Sequence, residues 1–244
     1  MTAENGFEKW DRWYQTFKER NPGTSVIKME MERVAQKLKT GASHPTLGAN
    51  IDGHADWWEA GISSFTQYVK QFDITPAYRM VDYGCGSLRV GAHFIRYLDP
   101  GHYFGLELAS GLYELGQDVI GETMLAQKRP RFGLIDTDAM DEATAFGADI
   151  VYSTAVAFHV HPDELAQYHA NLLKLTAKPG AILVFDTKIS EQPLRYRTRA
   201  WAWPMQMYLD ALAPLRFERE ILMQKREENG VPFENRILQF RRPG

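Results

Sequence analysis

The stretch Val81–Gly91, VDYGCGSLRVG, constrains this chain more than any other. A short apolar run meets an acid, Asp82. Two glycines, Gly84 and Gly86, then flank Cys85, and a helical pattern, SLRVGAHFIRYL, opens at Ser87. Glycines at such a point permit a tight turn and close approach of a ligand to the backbone. A helix that starts there aims unpaired N–H groups and its positive end at the turn, which favours an anion. The stretch predicts a strand, a ligand-holding loop and a helix.

Alternation continues from Arg79 onward. After RMVDYG, the apolar runs YFGLEL, FGLID, ADIVYSTAVAF and AILVFDTKI read as strands. Helical patterns start near Gly111 and at PDELAQYHANLLKL. Apolar strands separated by helices imply a parallel sheet covered on both faces, an α/β doubly wound fold. The end breaks the rhythm: LRFEREILMQKR and NRILQFRR read as an antiparallel pair at the sheet edge. Before them, RYRTRAWAWPMQMYLDAL reads as a helix with an Arg-rich approach.

Residues 1–78 read differently, as an N-terminal helical cap on a domain of residues 79–244. Trp10, Trp13, Tyr14 and Phe17 recur at helical spacing, a second helical pattern runs from about Val26 to Leu38 with Gly41 as its stop, and WWEAGISSFTQYVKQF is a third. With 244 residues, 44% of them hydrophobic, the chain can bury one sizeable core. A net charge of −3 argues against a nucleic-acid surface. The single cysteine excludes an intrachain disulfide and fits a cytoplasmic setting. No apolar run approaches a membrane span.

Ligands of open parallel sheets sit at the carboxyl ends of the strands. Here two anions compete for the glycine turn: a dinucleotide pyrophosphate and an amino-acid carboxylate. The dinucleotide pattern G-x-G-x-x-G would need glycine at position 89, which is Arg89. Asp82, just before the glycines, suits a ligand with an ammonium beside its carboxylate. Glu107, at the end of the next strand, can accept from ribose hydroxyls, and Asp138, after the third, from an adenine amino group.

Asp82-Tyr83-Gly84-Cys85-Gly86, Glu107, Asp138-Ala139 and KPGAILVFD, with the closing strand pair, resemble the successive motifs of class I S-adenosylmethionine-dependent methyltransferases. The resemblance runs from Arg79 to the C-terminus. It implies a mostly parallel, seven-stranded Rossmann-like sheet and S-adenosylmethionine as cofactor. By resemblance, Asp82, Gly84, Cys85 and Gly86 hold the methionine part, Glu107 and Leu108 the ribose, and Asp138 with Ala139 the adenine. Ser153 and Thr154 line the sulfonium region. One departure is Leu88, where many members carry a third glycine.

The remaining candidates concern the acceptor. His159 and His161 follow the fourth strand; in extended chain they face the same way, beside the expected methyl group, and are candidate general bases. Pro162, Asp163 and Glu164 suit a helix start, with His161 at its cap. Trp57, Trp58, Arg195 and Arg197 are candidate substrate contacts, the arginines (with Arg199) for an anionic acceptor. Cys85 reads as a packing residue rather than a nucleophile, and no metal site is expected. The expectation is methyl transfer to a small molecule such as a sugar or a secondary metabolite, hydroxyl before amine, by a protein that can form a homodimer and has no nucleic-acid or membrane partners. The rivals are a nicotinamide-dependent oxidoreductase or epimerase and a non-catalytic S-adenosylmethionine-binding module.

Overall fold

The computed structural model describes residues 6–40, 54–228 and 230–244. Helices α1 (Gly6–Arg20), α2 (Val26–Lys39) and α3 (His54–Phe72) precede the first strand. Ser25 caps α2 by accepting the Lys28 N–H at 3.2 Å. The expected stop at Gly41 lies outside the described residues, as do the side chains of Trp57 and Trp58.

Alternation then follows: β1 (Met80–Tyr83), α4 (Gly91–Tyr97), β2 (Tyr103–Glu107), α5 (Ser110–Ile120), α6 (Glu122–Lys128), β3 (Arg131–Leu134), α7 (Thr137–Phe146), β4 (Ile150–Ser153), α8 (Leu165–Leu175) and β5 (Ile182–Ile189). A small hairpin of β6 (Leu194–Arg197) and β7 (Ala200–Ala202) and a short helix α9 (Met205–Ala211) lead to β8 (Arg216–Glu228) and β9 (Val231–Arg241). The main sheet has seven strands in the order β3-β2-β1-β4-β5-β9-β8. β1 to β5 pair in parallel, and β9 is antiparallel to both β5 and β8. The winding reverses between β1 and β4, which opens a crevice at their carboxyl ends.

Three local readings are corrected. The helix expected from Ser87 starts at Gly91, because Leu88 takes a left-handed φ of +59° and prolongs the turn. The strand expected through Phe158 stops at Ser153: Ala155 is also left-handed (φ +58°), and a 3-10 turn spans Ala157–His159. The Arg-rich segment expected to approach a helix is the β6–β7 hairpin, and the helix is confined to α9.

The strand period of two divides the core. Met80, Tyr103, Ile150 and Tyr152 face α2 to α5, whereas Val81, Tyr83, Phe104, Leu106 and Val151 face α7, α8 and α9. The first cluster includes Ala35, Leu38, Tyr68 and Phe72, so the N-terminal helices share one core with the sheet. α3 comes close because Gly61 lies against the backbone carbonyl of Arg89; a Cβ there would overlap that backbone and approach His93 Cδ2 to 3.0 Å. Gly61→Ala should therefore cost about 1–3 kcal/mol through displacement of α3. Gly6→Ala, which meets no neighbour within 4 Å, should be near neutral. Urea unfolding of the two variants checks this, and equal stabilities would show that α3 yields freely.

Candidate active site

The glycine turn leaves β1 with Gly84 at φ +80° and Gly86 at φ +54°, conformations that glycine adopts without steric cost. Its N–H groups are sewn to β2. Those of Gly84 and Cys85 both donate to the Leu106 carbonyl (2.8 and 3.0 Å), and that of Gly86 donates to Glu107 Oε2 (2.8 Å). Leu88 does in the left-handed region what a third glycine would do more cheaply. It is fully buried, and Gly116 of α5 makes room for it: a Cβ there would lie 2.7 Å from Leu88 Cβ.

The side chains on the cap-facing parity of the strands converge on this turn. Asp82 is 3% exposed and accepts from the Tyr103 hydroxyl at 2.6 Å. Burial raises its pKa to about 7, Tyr103 opposing and the nearby Glu107 adding to the shift. Glu107 is also buried. Its oxygens accept from Gly86 N–H and Leu108 N–H (2.7 Å), which pull its pKa down against a larger upward push from burial. Cys85 is buried and its thiol pushed well up by burial, so it is neutral packing in the turn.

At the end of β3 the acid that lines the cavity is Asp136, not Asp138. Asp136 is the N-cap of α7 and accepts the Ala139 N–H at 3.0 Å, while Asp138 sits exposed in the first turn beyond. At β4, Ser153 and Thr154 point to opposite faces. Ser153 is fully buried against the hydroxyl of Tyr168 (3.2 Å), which itself lines the cavity, whereas Thr154 lines it directly and donates to the Tyr68 hydroxyl of α3 at 2.9 Å. Tyr152, which precedes them on the cavity side, went unnoticed in the sequence; its parity with Asp82 and Glu107 is the signal that marks it.

His159 and His161 do not face the same way, because a turn rather than extended chain carries them. His159 lines the cavity, and its Nδ1–H donates to the Arg199 carbonyl at 3.0 Å. That bond fixes the tautomer and leaves Nε2 with a lone pair. Burial first, then Lys188, Arg199 and Arg197, push its pKa down against the bond to Arg199. His161 is not among the residues lining the cavity. Its Nδ1 accepts the Asp163 N–H (3.2 Å), and its ring stacks on Tyr14 with centroids 3.9 Å apart. Tyr14 in turn donates to Asp163 (2.9 Å), so His161 anchors α1. Arg195 is likewise structural, bound to Asp11 (2.6 Å) and the Thr198 carbonyl beneath Trp10. Arg197 and Arg199 do line the cavity, paired with Glu228 (3.6 Å) and with Glu30 of α2 (2.6 Å).

The cavity has a volume of about 1530 Å³ and runs from Glu107 and Asp136 past the glycine turn to His159 and Arg197. It exceeds the roughly 300–1,000 Å³ typical of a site for one small ligand. No family model and no curated protein matches the chain. Solved structures do. Magnesium protoporphyrin IX methyltransferase (ChlM) from Synechocystis PCC 6803, with bound SAH, aligns at 15% identity over 96% of this chain and 94% of its own, TM-score 0.52. The N-methyltransferase NodS from Bradyrhizobium japonicum WM9, in complex with S-adenosyl-L-homocysteine, aligns at 13% identity over 88% and 99%, TM-score 0.56. The fold is that of the class I methyltransferases. The methyltransferase fold places β9 antiparallel between β5 and β8, where a dinucleotide-binding sheet continues in parallel. A third similar structure, the [4+2]-cyclase SpnF, aligns at 14% identity over 87% and 93%, TM-score 0.59. One fold thus carries more than one chemistry, and the side chains of the site decide which. Among the described residues no helix is long and apolar enough to cross a membrane, and no cluster of metal-ligating residues exists.

The buried acid sets a pH dependence of folding. Asp82 keeps its proton in the folded state up to about pH 7 but releases it near 3.8 when unfolded. Its contribution is present below 3.8 and is lost as pH rises through about 7, at up to about 1.4 kcal/mol per pH unit. Asp82→Asn should match the wild type in stability near pH 4 and exceed it by a few kcal/mol at pH 8. Urea titrations at the two pH values measure the gap, and a pH-independent gap would mean that Asp82 is ionised throughout.

Proposed function

We propose that the protein transfers a methyl group from S-adenosylmethionine to a small-molecule acceptor, a hydroxyl in preference to an amine. The observation that carries the reading is Asp82: a buried carboxylate beside a positive-φ glycine turn, in a cavity where Glu107 and Asp136 also stand at strand ends. A carboxylate held this dry gains most from a cationic partner. Its neighbour set suits a ligand that carries an ammonium, a ribose and a purine together. When bound, such a sulfonium supplies an activated methyl group.

The residues divide the work by position. Asp82 takes the ammonium, and Gly84, Cys85 and Gly86 admit the amino-acid moiety. Each oxygen of Glu107 spends one lone pair on a backbone N–H and retains another for a ribose hydroxyl. Leu108 packs beside the ribose. The adenine amino group goes to Asp136, which lines the cavity, in place of Asp138 and Ala139. Thr154 and Tyr152 border the reacting centre. The acceptor lies toward His159, whose Nε2 takes the proton from its hydroxyl while the Arg199 carbonyl holds the ring. Helices α1 and α2 cover that end and limit water. The name of ChlM, a methyltransferase of magnesium protoporphyrin IX, supports a small-molecule acceptor.

Donor affinity should rise with pH about tenfold per unit below about 7 and then level off, because the ammonium needs the ionised form of Asp82. Calorimetry with S-adenosylhomocysteine tests this. Asp82→Asn should lose both affinity and slope, and Asp136→Ala should cost about 1–2 kcal/mol, or 5–30-fold, against little for Asp138→Ala. A flat pH profile in the wild type would sink the ammonium assignment.

A screen of hydroxyl and amine acceptors for S-adenosylhomocysteine release identifies the substrate and separates an enzyme from a binding module. With a hydroxyl acceptor, His159→Ala should slow single-turnover transfer about 10²–10⁴-fold and leave donor affinity unchanged. His161→Ala should instead lower stability. Near-normal transfer by His159→Ala would remove the base and favour an amine acceptor.

A further inference from the structure

The amino-terminal edge of the sheet, opposite the methyltransferase cavity, carries a second cleft of about 450 Å³. Three adjacent strands begin there. Arg79 leads into β1, the turn Pro100–Gly101–His102 leads into β2, Arg129 follows α6, and Arg131 opens β3. Arg79, Pro100, Gly101, His102, Arg129 and Arg131 line the cleft, with no acidic side chain among them.

Among the described residues, none of these three arginines forms an ion pair; Arg219 and Arg242 also lack one but give their guanidinium N–H groups to Gln239 and to the Gln71, Thr176 and Leu173 carbonyls. The acid beside Arg79 is engaged otherwise: Asp149 accepts the Arg79 backbone N–H at 2.8 Å through Oδ2 and pairs with Lys178 through Oδ1. What gathers two of the guanidiniums is a ring. Arg79 lies 4.3 Å and Arg131 5.5 Å from the centroid of the buried Phe146. Cation–π contact of this kind occupies the flat of a guanidinium and spends none of its N–H donors on a carboxylate. Lys128, bound to the Leu98 carbonyl at 2.7 Å, adds a further cation next to Arg129.

In a chain of net charge −3, such a cluster is not a by-product of basic composition. Its mutual repulsion is relieved by an anion. Three arginines lining one concave site suit phosphate oxygens, which a guanidinium can bind bidentately. The dimensions suit a small molecule. A nucleic acid would need basic surface well beyond the cleft, which the acidic balance of the chain does not supply.

We propose that this cleft binds a small phosphorylated molecule, a phosphate monoester or diphosphate, through Arg79, Arg129 and Arg131. The site is separate from the proposed methyl-transfer cavity. β2, five residues long, lies between them, roughly 15 Å of strand at the usual rise. His102, whose Nδ1–H donates to the Ala77 carbonyl at 3.0 Å, lines the cleft with the arginines.

The test is calorimetry of the intact protein with pyrophosphate and with inorganic phosphate at low ionic strength. The expected result is one equivalent of pyrophosphate bound, with affinity reduced about tenfold by Arg129→Gln and further by Arg129→Gln combined with Arg131→Gln. Saturating S-adenosylhomocysteine should leave it unchanged. Arg129 and Arg131 are exposed, so the variants should melt like the wild type; if the double variant does not fold, Arg129→Gln alone decides. The proposal is overturned by no binding at millimolar pyrophosphate, by binding indifferent to Arg129→Gln, or by competition with S-adenosylhomocysteine, which would place the anion in the main cavity. Tighter, arginine-dependent binding of a single-stranded RNA than of pyrophosphate would overturn the small-molecule class.

Discussion

The seam between the β1 turn and the end of β2 is the constraint on which the site depends. Three consecutive N–H groups of the turn, from Gly84 to Gly86, are committed to Leu106 and Glu107. A glycine-rich loop has more backbone freedom to lose than any other, so it needs such ties to hold one shape. Once it is held, the Arg89 carbonyl lies where Gly61 can approach it, and α3 closes over the loop. The same Glu107 that ties the loop stays available to a ligand, because two backbone bonds leave half of its lone pairs unused.

The cavity is built from carboxylates that burial makes uncomfortable. Asp82 and Glu107 line it, and both have raised pKa values for the same first reason, desolvation. A protein that only needed stability would place apolar groups there. Their retention at strand ends fits a site that waits for a cationic ligand, at a cost to the unliganded fold.

The β6–β7 hairpin joins the His159 end of the cavity to the N-terminal helices. The Arg199 carbonyl orients His159, while the Arg199 side chain reaches Glu30 of α2 and Arg195 reaches Asp11 of α1. Through the same hairpin, movement of the helices that cover the cavity would be felt at the imidazole. His161, which the sequence pairs with His159, belongs instead to the aromatic stack with Tyr14 that seats α1. Of the stripe Trp10, Trp13, Tyr14 and Phe17, Tyr14 is buried and stacked on Trp10, as helical spacing suggests, whereas Trp13 is 36% exposed.

The succession of strands and helices, the glycine turn, the acids at strand ends and the antiparallel close were legible because each rests on local rules: period two, turn chemistry and strand–helix alternation. The choice between neighbours was not. Asp136 and Asp138 are equally acidic, and Ser153 and Thr154 equally polar. Which member of each pair reaches the cavity depends on where β3 and β4 end, and element ends are set by tertiary contacts. Leu88 shows the limit most clearly. Its left-handed backbone opposes its own preference and persists because Gly116, 28 positions away in a different helix, leaves space for its side chain. The amino-acid sequence by itself determined the alternating fold, the ligand-holding loop and the acids available to it. Only the tertiary structure decided which acid and which histidine face the cavity, because facing is a property of packed elements and not of residue type.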